Sequence, residues 1–91
     1  MPIRLIQICP HAKKQIKERK IPEDLIKKAL LHPGQVMDSY NDRKIAQDIV
    51  KYKGEQFLIR VIYEETEREL KIVTVYLTAR IEKYWRYENA H

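Results

Sequence analysis

Cysteine, glycine and phenylalanine are scarce in this chain of 91 residues: one Cys, two Gly and one Phe. Each scarcity excludes something. A lone Cys9 has no partner for an intramolecular disulfide, which fits a reducing compartment and predicts a cytoplasmic protein. Gly34 and Gly54 stand alone, so there is no glycine-rich phosphate loop. Cys9 and His11 do not make a Cys/His metal cluster, and neither a metal nor another cofactor is expected. No apolar run approaches the roughly 20 residues that span a bilayer. The segment Ile3–Cys9 is too short for a signal peptide and lacks a small-residue cleavage site, so no membrane partner is expected. Two Gly and four Pro also argue against long structureless stretches.

What is abundant is charge. Asp, Glu, Lys and Arg make up 34% of the chain, against a usual quarter, beside an ordinary hydrophobic content of 44%. The length is that of one domain, residues 1–91, with a single modest core. The net charge of +5 is unevenly placed. Residues 1–34 hold eight Lys/Arg against three acids, whereas residues 35–91 hold ten of each sign. Concentrated positive charge is the footprint of a polyanion partner, or else of a solvated helical face.

Pattern places the elements. Pro10 suits a first helical position, and His11–Lys20 reads as a helix with Ala12 and Ile16 on its inner side. His11, Gln15 and Arg19 share one stripe of it. Pro22 restarts the pattern; Leu25, Ile26, Ala29 and Leu30 face inward, and His32-Pro33-Gly34 ends the second helix. From Gln35 the period becomes two. Val36–Tyr40, Arg43–Tyr52, Gln56–Glu64 and Glu69–Thr78 read as four strands, joined by turns at Asn41-Asp42, Lys53-Gly54 and the acidic segment Glu64–Glu69. In the second strand Ile45 and Ile49 argue for one facing, Ala46 and Val50 for the other, so a bulge or two covered faces are expected. A last helix is expected over Ala79–Glu88, capped by Thr78 and buried through Ile81, Tyr84 and Trp85. The expected fold class is α+β: two N-terminal helices, a four-stranded antiparallel meander and a C-terminal helix.

The fourth strand organises the candidate site. Val73, Val75 and Leu77 alternate with Thr74, Tyr76 and Thr78, so one face is core and the other carries hydroxyls. If Phe57, Ile59 and Val61 share the core face, an odd loop such as Glu65-Thr66-Glu67 is required, and Arg60 then lies beside Thr74 and Tyr76. A buried arginine needs a carboxylate or an anionic ligand. Asp48 is the nearest candidate carboxylate, though a two-residue turn points it to the opposite face.

The segments H-A-K-K-Q-I-K-E-R-K-I at 11–21, L-I-R-V at 58–61 and V-T-V-Y at 73–76 resemble the family called domain of unknown function 4258. The order of elements is similar to that of the RelE/ParE toxin superfamily. Gln15 departs from the family, which often has Arg there, and the acidic hairpin is not a family mark. The resemblance implies a metal-independent endoribonuclease of a toxin–antitoxin system, RelE-like in fold, with RNA, including ribosome-associated mRNA, as substrate and a protein antitoxin as partner. Such cleavage needs proton transfer at the ribose 2′-OH and the leaving oxygen, and cations for the phosphorane charge. His11, Arg60, Tyr76 and Thr74 are the candidate catalytic residues; Lys13, Lys14, Lys17, Arg43 and Arg80 are the candidate RNA contacts. The competing reading is a non-catalytic module that binds nucleic acid through its basic helices, or protein through a sheet edge and the last helix. Convergence of His11 with Arg60 and Tyr76 favours the first reading, and separation favours the second.

Overall fold

The computed structural model describes residues 4–87. Its elements are β1 (Leu5–Ile8), α1 (Pro10–Arg19), α2 (Glu23–Leu31), β2 (Gln35–Asp38), a 3-10 turn (Tyr40–Asp42), β3 (Lys44–Tyr52), β4 (Glu55–Glu65), β5 (Glu69–Thr78) and α3 (Ile81–Tyr84). The protein is α+β, with a five-stranded sheet of order β1-β5-β4-β3-β2.

Two expectations need correction. The sheet is mixed and five-stranded, because Leu5–Ile8 pairs in parallel with Glu69–Ile72. Four residues are too few to show a period, so this strand reads only as an extended lead-in. The C-terminal helix is one turn, Ile81–Tyr84, with Arg80 as its N-cap. Thr78 does not cap it; its Oγ1 accepts the Arg80 N–H at 3.1 Å. The chain is extended again from Trp85, residues 85–87 are not helical, and Glu88, the expected end, lies outside the described residues.

The helices form where local chemistry favours them. Pro10 opens α1 after an extended Cys9, and Glu23 and Asp24 sit at the positive end of α2. Ala12, Ile26, Ala29 and Leu30 bury against Ala46, Val50, Ile59, Val61, Tyr63, Leu70, Ile72 and Val75. Thus α1 lies over β5, and α2 over β3 and β4. At about 1.5–3 kcal/mol per fully buried aliphatic side chain, this layer is the main source of stability.

The β4–β5 register determines what the other face carries. Ile59 pairs with Leu77, Arg60 with Tyr76, Val61 with Val75 and Ile62 with Thr74. Near the turn, however, Glu65 pairs with Leu70 and Tyr63 with Ile72, so Val73 is an extra residue in a β-bulge. The bulge lets Leu70 and Ile72 share the helix side with Val75 although their positions differ in parity. The irregularity expected in the second strand therefore lies in β5. In β3 both faces are covered: Ala46 and Val50 meet the helices, and Gln47 is buried on the far side.

Both tight turns use the left-handed region. Asn41 and Asp42 have φ of 58° and 60°, and Lys53-Gly54 has φ of 53° and 81°. Asn and Asp are the side chains that tolerate this conformation best, and glycine pays no Cβ penalty there.

Candidate functional site

The sheet face away from α1 and α2 carries Gln35 and Met37 from β2, Gln47 from β3, Arg60 from β4, and Thr74 and Tyr76 from β5. Arg60 is its centre. Only 8% of this residue is exposed. Nε donates to Gln47 Oε1 at 3.0 Å and one terminal nitrogen donates to the Tyr76 hydroxyl at 2.6 Å. The Tyr84 ring lies over the guanidinium at 4.3 Å from its centroid, and Tyr76 packs edge-on to Tyr84. Among the described residues no carboxylate pairs with Arg60. Asp48 pairs across to Ile59 and so belongs to the other face. A buried cation is thus held by three neutral acceptors, the Met37 sulfur at 3.9 Å being the third, and by an aromatic ring, with no compensating charge among the described residues.

The segment after α3 completes the site. Gln47, fully buried, donates to the Tyr84 carbonyl at 3.1 Å and to Gln35 Oε1 at 2.8 Å. Gln35 grips the Arg86 backbone from both sides: its Oε1 accepts the Arg86 N–H at 3.0 Å, and its Nε2 donates to the Arg86 carbonyl. This amide clamp leaves the Arg86 side chain unused by the hydrogen bonds. Arg86 and Arg60 then line one concavity of about 400 Å³ together with Met37, Asp38, Ser39, Tyr40 and Ile45.

The sequence candidates are distributed unevenly around this centre. Arg60 and Tyr76 touch, and Thr74 lies next along the same face. His11 does not join them. It is exposed on α1, whose buried Ala12 and partly buried Ile16 pack on the helix side of the sheet, and no hydrogen bond links it to Arg60, Tyr76 or Thr74 among the described residues. Lys13, Lys14 and Lys17 are exposed on that same helix, where Lys14 meets Glu18 at 3.8 Å. Arg43 pairs with Glu64 at 3.1 Å, and Arg80 is exposed at the start of α3. The residues that sequence reasoning passed over are Gln47, Gln35, Tyr40, Tyr84 and Arg86. Gln47 carried a signal, since it interrupts the apolar pair Ile45 and Ile49 on the face of Arg60. Tyr84 belonged to an apolar stripe and read as a core anchor.

Shifted titration is found around Lys44, which pairs in register with Asp38 of the concavity and with Tyr63. Hydrogen bonds from Lys44 and Arg4 hold the Glu65 carboxyl below its usual range, and the bond to Glu65 raises Lys44. Desolvation raises the Tyr63 phenol. Among the described residues no three His, Cys, Asp or Glu side chains gather as a metal site, and no helix is long and apolar enough to cross a membrane.

Neither the curated proteins nor the solved structures contain a match to this chain. The family of proteins described as domain of unknown function (DUF4258) matches over residues 8–77, a span that holds α1, α2, Arg60 and Tyr76. The helix-covered sheet and the arginine buried on its far face are thus features of a chain that belongs to the DUF4258 family.

Proposed function

We propose that this protein binds RNA, and that the face carrying Arg60 and Arg86 holds a phosphate of its backbone. The observation that carries this reading is the buried Arg60 guanidinium, whose partners among the described residues are neutral, with no carboxylate. An uncompensated cation beside a second guanidinium, at a concavity, suits an anionic ligand. The net charge of +5 has the matching sign. The order of two helices followed by an antiparallel meander supports a RelE-like domain acting in the cytoplasm, with a protein antitoxin as its second partner. The test is fluorescence anisotropy of a labelled single-stranded RNA against salt. Arg86→Ala keeps the backbone clamp and is expected to weaken binding and to flatten the salt slope by about 0.7, the share of one phosphate on a single strand. An unchanged slope and affinity in Arg86→Ala would remove this face from the interface.

A second reading, metal-independent endoribonuclease, is favoured by one contact: the Tyr76 hydroxyl lies 2.6 Å from an Arg60 terminal nitrogen. A phosphate at Arg60 would bring its oxygens within reach of a group that can donate or accept a proton. Thr74 lies on the same face for a further hydroxyl. The position of His11 on α1 weighs against its being the third member. The assay is RNA integrity in excess EDTA, and growth on induced expression, for wild type, Tyr76→Phe and His11→Ala. A loss of order 10²-fold in Tyr76→Phe, with His11→Ala active, is the expected result for catalysis at this face. Equal cleavage by wild type and Tyr76→Phe would leave binding alone.

A further inference from the structure

Tyr40 is 88% exposed, at the rim of the concavity that Arg60 and Arg86 line. Among the described residues its ring stacks on no other ring and lies over no cation. A tyrosine ring held out in water forgoes its hydrophobic stabilisation. A bare aromatic side chain on a loop, at the rim of a cleft that already carries two guanidinium groups, is the pattern expected where the side chain is used. Asp38 also lines the concavity, but it pairs in register with Lys44, which feels its charge.

An aromatic face beside two guanidinium groups matches the chemistry of an unpaired nucleotide: a flat base and a phosphate. A duplex offers the phosphate but hides the base faces. We propose that Tyr40 is a stacking platform for an unpaired base of a single-stranded RNA whose phosphate lies on Arg60 and Arg86. This rests on the phosphate reading of that face and adds the requirement for a single strand.

The experiment measures the affinity of three probes by anisotropy: a single-stranded RNA, the same RNA in a duplex, and its abasic ribose-phosphate counterpart. Tyr40→Ala should weaken the single strand by about 5- to 100-fold, the range found when a stacking side chain is truncated. It should leave the duplex and the abasic chain unchanged, and Tyr40→Trp should restore binding. Because Tyr40 is exposed, an unchanged thermal transition separates this effect from misfolding. An equal loss on the abasic chain would overturn stacking, since the contact would then be to backbone. Unchanged single-strand binding in Tyr40→Ala, with Arg86→Ala weakened, would overturn stacking while the phosphate reading stands. Failure of Arg86→Ala to weaken any probe would overturn both.

Discussion

Gln47 is the residue on which the buried charge depends. It accepts from Arg60 and donates to Gln35 and to the Tyr84 carbonyl, so one amide links β2, β3, β4 and the C-terminal segment. Gln47→Leu is expected to destabilise the fold by about 1–3 kcal/mol, because a buried Arg60 donor loses its partner; urea unfolding measures it. Gln47→Glu tests the charge itself. The new carboxylate would neutralise Arg60 in place but cannot donate to Gln35 or to the Tyr84 carbonyl, so some stability is lost, and the RNA affinity of the folded protein should fall. Retained affinity in a folded Gln47→Glu would mean that the charge of Arg60 is not used. Glu65, bonded to Lys44 and Arg4, has a depressed folded pKa. Its contribution to stability is therefore present above its unfolded pKa and lost as pH falls through the folded one. The stability difference between wild type and Glu65→Gln should be seen at neutral pH and vanish on acidification below the carboxylate range.

At the scale of elements, β5 shows what sequence can and cannot reveal. Alternation in Gln56–Glu64 and Val73–Thr78 was enough to place Arg60, Thr74 and Tyr76 on one face. The bulge was not legible, because Ile72-Val73 reads equally well as two consecutive core residues. The pairing of β1 was not legible either, since it joins residues 64 positions apart (Leu5 with Glu69) through four residues without a period. The last helix was overread: Ile81, Tyr84 and Trp85 fit an apolar stripe, but Tyr84 stacks on Arg60 and Trp85 lies against Gly34. The edge of β5 beyond β1 is closed by side chains instead of a strand. Cys9 Sγ donates to the Val73 carbonyl at 3.4 Å, and Gln15 Oε1 accepts the Val75 N–H at 3.1 Å. That bond gives Gln15 a reason to differ from arginine, which cannot accept. Gln15→Arg should cost about 1–3 kcal/mol by orphaning a partly buried N–H, with faster hydrogen exchange at Val75.

At the scale of the molecule, the positive charge is divided between two faces. Lys13, Lys14 and Lys17 ride on α1, on the helix side, while Arg60 and Arg86 open on the other. A short RNA seated on the Arg60 face should not feel the lysines directly. Reversing Lys13, Lys14 and Lys17 together should then lower the affinity only modestly, with the salt slope nearly intact. A steep loss of both would move the interface to α1.

The parallel pairing of β1 with β5 also orders events in time. Among the described strands, the first to be synthesised pairs only with the last. The meander from β3 to β5 has local contacts and closes early, whereas β1 must wait for a loop of more than sixty residues to close, a slow step among such contacts. α2 can dock on β3 and β4 once these exist, but until β5 is made α1 has no strand to cover, and its apolar side stays wet. The nascent chain is therefore expected to pass through an interval with Ala12 and Ile16 accessible to chaperones and to other copies of itself. The covering of α1 and the locking of β1 then arrive together.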